Sequence, residues 1–302
     1  MSKVHLKNFL LPHPSAALEY WFFKVNSGPI AILVDWIAYR KTKQNWLRVS
    51  IHSPHKRVVL SEKLIKIMPL NNFLSIQRTV GQIGDIAWEL DIDPGKELIQ
   101  PDIFPSALLH MTDILLLSAP LARFSGWISH GGQRFKMESA LGMLSHYWGR
   151  QLSSDWWWIS ANQFQQEGVS VECSFVKSSL WGTPLKAAFA YLYLRQQEKK
   201  EFVMALPGMA SVKGTCENFE LKINRIGKEP IVLIGRGLEY GYLGDGIVNT
   251  LIGDLEIRVG DKLMAQAIGT AGIECRSSNH LTIKNIMQKE QAVVSSTNYE
   301  LN

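Results

Sequence analysis

The sequence predicts an all-β protein made of two packed antiparallel units. Three observations carry that expectation. Apolar and polar residues alternate with a period of two in many short runs, as half-buried strands require. Gly, Pro, Asn and Asp punctuate those runs at intervals typical of β-sandwiches and barrels. The chain has 302 residues, more than one ordinary core accommodates, so two units are expected.

Taken in chain order, residues 19–25, 30–39, 46–52 and 86–92 have strand composition. They are separated by turns at 26–29 (Asn-Ser-Gly-Pro), 41–43 (Lys-Thr-Lys) and 93–95 (Asp-Pro-Gly). Residues 61–68 read as either a short helical turn or an edge strand. Residues 106–116 are the best remaining helix candidate. Residues 145–149 and 156–161 are expected to be extended. Residues 187–195 and 201–206 flank the polar tip 196–200 as a hairpin. Residues 219–226 alternate strictly, as do 255–259 before the turn at Gly260 and Asp261. No strand–helix–strand rhythm occurs, which argues against a parallel sheet. A boundary is expected near Leu152, giving units 1–152 and 153–302. No Pro/Ser-rich linker intervenes, so tight packing is expected. A closed eight-stranded barrel is a natural container for one small molecule.

Apolar residues make up 46% of the chain and charged residues 20%, which rules out wholesale disorder. The net charge of +5 is spread along the sequence. No nucleic-acid motif accompanies it, so a solvated surface is the reading and no nucleic-acid partner is expected. Apolar runs fall short of the roughly 18 residues a membrane helix needs, so no integral membrane span is expected. The N-terminal apolar run is too short for a signal peptide. Cys173, Cys216 and Cys275 give neither a disulfide framework nor a zinc signature. Three reduced thiols in a cytoplasmic protein are expected. The eight histidines never cluster at metal spacing; His52 and His55 read as a turn pair. Gly235-Arg-Gly-Leu-Glu-Tyr-Gly241 lacks the third glycine of a dinucleotide loop and reads as a barrel bend. No metal, redox group or other cofactor is called for. Oligomeric state is not legible.

Four of the ten tryptophans, Trp148, Trp156, Trp157 and Trp158, fall within eleven residues beside His146 and Arg150. Such a cluster either fills an aromatic core or lines a pocket for an oily guest. His146 and Trp148 would share one strand face and Tyr147 the other. His146 can give or take a proton near neutral pH, and indole faces can stabilise a developing cation. Asn162 can orient a carbonyl, and Arg150 can anchor an anionic tail. Glu19 shares a face with Trp21, Phe23 and Val25. It is either an enclosed acid with a raised pKa or a rim carboxylate in water. Asp35 interrupts an apolar strand, so it either pairs with an arginine such as Arg48 or faces a cavity.

Glu19-Tyr-Trp-Phe-Phe-Lys-Val25 resembles the opening segment of tocopherol cyclases. Related segments open the carotenoid 1,2-hydratases and the lipocalin-fold Diels–Alderases. Gly126-Trp-Ile, Gly132, the run from Met137 to Gly149, Trp156-Trp-Trp158 and Asn162-Gln-Phe164 resemble that superfamily's middle signature. The resemblance covers residues 18–39 and 123–165. It implies two lipocalin-like, calycin-type β-barrel or sandwich domains. It also implies cofactor-free cyclisation, hydration or pericyclic folding of a polyene, isoprenoid or polyketide substrate in a pocket in or between the domains. Trp148, Trp156 and Trp158 would line that pocket. The chain departs from the pattern at Ser145, where the family often has an acid. This departure leans toward a pericyclase or isomerase acting by restraint and hydrogen bonding. Otherwise His146, Glu19, Asp35 or Glu138 supplies the proton. The expected catalytic set is His146, Glu19 and Asp35. The expected substrate-binding set is Trp21, Tyr147, Trp148, Arg150, Trp156, Trp158 and Asn162. The expected activity is that of a cyclase or isomerase on an apolar polyunsaturated molecule. An alkene hydratase and a non-catalytic lipid or pigment carrier are the alternatives.

Overall fold

A computed structural model describes residues 9–13, 16–54, 57–64, 74–99, 114–149, 155–179, 186–244 and 246–276. Every regular element among them is a β-strand. The chain divides into two compact units, Met1–Leu152 and Ser153–Asn302.

The first unit holds β1 (Leu18–Ser27), β2 (Ile30–Tyr39), β3 (Gln44–His52), β4 (Arg57–Leu64), β5 (Arg78–Ile83), β6 (Ile86–Asp93), β7 (Ile114–His130) and β8 (Gln133–Gly149). They form one antiparallel sheet in the order β4-β3-β2-β1-β8-β7-β6-β5. The sheet curls until its ends approach: a Cβ built on Gly84, in the β5–β6 turn, would lie 3.1 Å from the Leu60 side chain of β4. Gly28, at φ 55°, supplies the left-handed residue that the β1–β2 hairpin needs. One face of the curled sheet buries Trp21, Phe23, Trp36, Trp88, Phe124 and the aliphatic residues between them. Phe23 stands at the centre of that core, with ring centroids 6.1, 6.5 and 5.4 Å from Trp36, Trp88 and Phe124. The Trp88 indole N–H finds the kind of partner buried indoles usually have, donating to the Thr79 hydroxyl at 3.0 Å.

The second unit holds β9 (Asp155–Ala161), β10 (Val169–Ser179), β11 (Lys186–Gln196), β12 (Lys199–Ala205), β13 (Ala210–Gly214), β14 (Asn218–Arg225), β15 (Lys228–Arg236), β16 (Gly241–Gly244), β17 (Ile247–Val259) and β18 (Lys262–Arg276). The main path is β12-β11-β10-β9-β18-β17-β15-β14-β13, with β16 paired to β17. Ion pairs tie β12, at one end, to β14 and β15 near the other. Arg225 Nη1 donates to Glu201 Oε2 at 2.7 Å, and Lys228 Nζ donates to Glu201 Oε1 at 3.1 Å. The interior is aliphatic, with Trp157 set edge-on to Phe175 at 5.8 Å.

The structure resolves one alternative and corrects one reading. Residues 61–64 are the end of β4, so that segment is strand where described; residues 65–68 lie outside the described residues. Most of the helix candidate, residues 106–113, also lies outside them, and residues 114–116 open β7. The expectation of three reduced thiols is wrong: Cys216 and Cys275 are joined as a disulfide, with Cα atoms 6.0 Å apart. Only Cys173 is free. With Cys216 and Cys275 joined, thiol usage gives no indication of compartment. No helix among the described residues is long and apolar enough to cross a membrane.

Candidate functional site: a buried imidazole–carboxylate pair

Strand pairing assembles the site. β1 and β8 run antiparallel with Trp21 opposite His146 and Glu19 opposite Trp148. Directly opposed residues point to the same side of a sheet. Glu19, Trp21, His146 and Trp148 therefore share the core-facing side. Glu19 and His146 are fully buried.

A buried carboxylate survives only if its oxygens are satisfied. Glu19 meets that condition. Its Oε1 accepts the His13 backbone N–H at 2.6 Å. Its Oε2 accepts from the Arg40 guanidinium, in a close ion pair. His146 Nε2 lies 3.4 Å from Oε1. Burial pushes the Glu19 carboxyl up, but the neighbouring His146 imidazole, the His13 backbone N–H and Arg40 outweigh it and hold the pKa below the ordinary carboxylate value.

His146 is fixed at its other nitrogen. Nδ1 lies 2.8 Å from the Phe9 carbonyl oxygen. A carbonyl only accepts, so Nδ1 carries hydrogen and Nε2 is the nitrogen that faces Glu19. The ring is enclosed by aromatic neighbours. Trp21 stacks on it at 4.9 Å and 18°, and Trp148 lies 4.8 Å away. His13 stacks on Trp148 at 3.8 Å with the rings 2° from parallel. Burial and the neighbouring His146 lower the His13 pKa, partly opposed by Glu19.

The structure thus brings His146, Glu19, Trp21 and Trp148 together. Asp35 stands elsewhere. It is paired in register with Phe22 and Arg48 on the opposite side of the sheet, where the Arg48 Nε donates to it at 2.7 Å. Of the two roles left open for it, the arginine pair is the one present. Tyr147 is on that same opposite side, edge-on to Tyr20 at 5.8 Å. Ser145 donates to the Ser118 hydroxyl at 2.8 Å. Glu138 is exposed beside Lys136 at 2.5 Å. Arg150 lies outside the described residues.

Trp156, Trp158 and Asn162 belong to the second unit and are buried there. Trp158 lies opposite Ser174 of β10 and Glu274 of β18. Two strands away on this face, the Tyr191 hydroxyl donates to the fully buried Glu172 at 3.2 Å. A surface trough of about 630 Å³ also lies in this unit, bordered by Phe219, Ile234, Arg236, Asp254, Glu256 and Gln266. None of the described residues in the expected catalytic and substrate-binding sets lines it.

Sequence reasoning missed Phe9, His13 and Arg40. One signal for Arg40 was legible: it follows Tyr39, which the β1–β2 hairpin sets opposite Leu18, next to Glu19. His13 and Phe9 come from a non-repeating segment before β1 and leave no periodic trace. Among the described residues no group of His, Cys, Asp and Glu could hold a metal ion.

Two curled antiparallel sheets, one with a buried acid–base pair, define a two-unit lipocalin-like β-protein. Comparison with solved structures supports that architecture. A Nitrosomonas europaea protein named as a putative AttH superposes with a TM-score of 0.60 at 13% identity, over 87% of this chain and 93% of its own. Kievitone hydratase of Nectria haematococca gives 0.63 at 10% identity, over 91% and 93%. CghA gives 0.55 at 11% identity, over 86% and 87%. At these identities the likeness is one of fold. No family model matches the sequence, and no curated protein matches it.

Proposed function

We propose that this protein is a cofactor-independent cyclase or isomerase acting on an apolar, polyunsaturated small molecule of polyketide or isoprenoid type. The observation that carries the reading is the His146–Glu19 pair, 3.4 Å apart and fully buried among indoles. In this reading His146 polarises a substrate carbonyl or protonates an alkene. Glu19 balances the charge on the imidazole. The faces of Trp21 and Trp148 stabilise positive charge that develops beside them. Holding a flexible polyene in one folded conformer supplies the rest, since orientation alone is worth up to about 7–11 kcal/mol in well-aligned cases.

The direct test is incubation of linear polyene and polyketide-type carbonyl precursors with the wild-type protein and with His146→Gln. Stereoselective ring formation by the wild type alone supports the proposal. Product ratios unchanged by the protein across the panel would count against it.

The same pair favours a second reading, hydration of an isolated alkene. Protonation followed by water capture needs the same acid, and one structural neighbour bears the name of a hydratase. Uptake of oxygen-18 from labelled water separates the two. A carrier without chemistry is a third outcome: it would keep its ligand affinity when His146 is replaced.

A further inference from the structure

The proposed site raises a problem of access. His146 and Glu19 have no exposed surface, so a substrate reaches them only if something on top of them moves. Among the described residues, one short segment, Phe9 to His13, bonds to both of them. Within those five residues the chain presents four complementary groups. The Phe9 ring is wholly buried in the first core. The Phe9 carbonyl accepts from His146 Nδ1 at 2.8 Å. The His13 backbone N–H donates to Glu19 at 2.6 Å. The His13 ring lies flat on Trp148 at 3.8 Å.

We propose that the segment from Phe9 to His13 occupies the substrate's place, and that the site takes a flat, conjugated carbonyl compound carrying a hydroxyl or N–H donor. This rests on the reading of His146 and Glu19 as the reacting pair. The chemistry of the ligand follows group by group. An apolar or aryl portion replaces the Phe9 ring. A carbonyl replaces the Phe9 carbonyl and meets His146 Nδ1–H, which then polarises it. A hydroxyl or amide N–H replaces that of His13 on Glu19. A planar π-system replaces the imidazole on Trp148, where stacked rings gain beyond their buried area. The Glu19 carboxylate stays held during the exchange, because Arg40 grips its other oxygen from a side chain that is 36% exposed and outside the segment.

The segment and the ligand therefore compete for one site. Loosening the segment raises ligand affinity, because a binding-competent state that is more populated binds more tightly in proportion. The test is binding, in the full-length chain, with 4-hydroxychalcone as probe: a planar aryl enone with a phenolic donor. Binding is read by quenching of tryptophan fluorescence and by titration calorimetry. His13→Ala removes the ring from Trp148 while leaving Phe9 anchored in the core. It is expected to tighten the probe at least tenfold, and Phe9→Ala/His13→Ala further. Trp148→Ala in the His13→Ala background is expected to reverse the gain. Circular dichroism and thermal melts establish that each variant is folded, and His13→Ala stands alone should the double variant fail to fold.

Equal affinity for wild type and His13→Ala would overturn the proposal, as would a gain that survives Trp148→Ala. Turnover is not the readout. Loss of catalysis in His146→Gln with probe affinity indifferent to His13 would leave the function standing and remove this inference. Competition between segment and probe without any turnover would do the reverse.

Discussion

Glu19 of β1 and His146 of β8 meet inside the first unit through Oε1 and Nε2 at 3.4 Å, each side chain fully buried. The other ring nitrogen, Nδ1, is bound to the Phe9 carbonyl. Proton transfer by a positioned side chain typically contributes about 10²–10⁴-fold to a rate. His146→Gln is therefore expected to lower kcat by about that factor, and Glu19→Gln by a similar factor. Steady-state kinetics on the substrate found in the precursor panel checks this. A kcat within about twofold of wild type for both variants removes the pair from the mechanism.

Glu19 also makes a pH prediction. Its pKa is held below the ordinary carboxylate value in the folded protein, where His146, the His13 backbone and Arg40 together outweigh burial. A depressed pKa means the unfolded chain binds the proton more readily. The stability that Glu19 contributes is thus fully present above the ordinary value of 4.5 and is lost as pH falls through the folded value. Melting curves of wild type and Glu19→Gln should differ most near neutrality. The gap should begin to shrink only below pH of about 4.5 and close in stronger acid. A gap independent of pH down to full acid unfolding would contradict the assignment.

Asp35 and Arg48 form a buried ion pair at 2.7 Å with 6% and 7% of their side chains exposed. Removing one partner strands the other in a dry environment, whereas removing both does not. Arg48→Met alone should cost about 3–5 kcal/mol. Asp35→Leu with Arg48→Met should recover most of that loss. Urea denaturation of the two single variants and the double variant measures the coupling, and additive single losses would show that the pair is not one unit.

The Cys216–Cys275 disulfide closes a loop with a sequence separation of 59. Such cross-links typically stabilise by about 2–4 kcal/mol, mainly by restricting the unfolded chain. Thermal melts with and without reductant should show that loss, and Cys216→Ser should melt like the reduced wild type without responding to reductant. Thiol counting under denaturing, non-reducing conditions should find Cys173 alone; three reactive thiols would refute the bond.

Strands with strict alternation were legible in the sequence, and β2 runs from Ile30 to Tyr39 as its apolar composition requires. The face of β1 that carries Glu19 and Trp21, and the face of β8 that carries His146 and Trp148, followed from the same period of two. What alternation does not carry is which strand lies beside which. The meeting of Trp21 with His146 depends on pairing across most of the first unit. The Cys216–Cys275 bond was hidden for a related reason. β18 contains Ala265, Ala267, Gly269, Gly272 and two register shifts against β17 near Gly253, so its alternation is blurred and Cys275 carries no mark of facing inward. His13 and Phe9 precede the first strand, where no period exists to read. Asp35 was correctly seen as needing a partner, but the residue alone did not choose between an arginine and a cavity.

The strand order of the first sheet has a bearing on when the buried pair forms. Each neighbour relationship in that sheet joins strands consecutive along the chain, except that of β1 with β8. Hairpins form quickly from nearby residues, while a pairing across a long loop bears a larger closure entropy and comes late. Glu19 and His146 sit on opposite lips of that one distant seam. A half-assembled chain thus holds a carboxylate and an imidazole that have never met, and the pair forms in the same event that completes the topology.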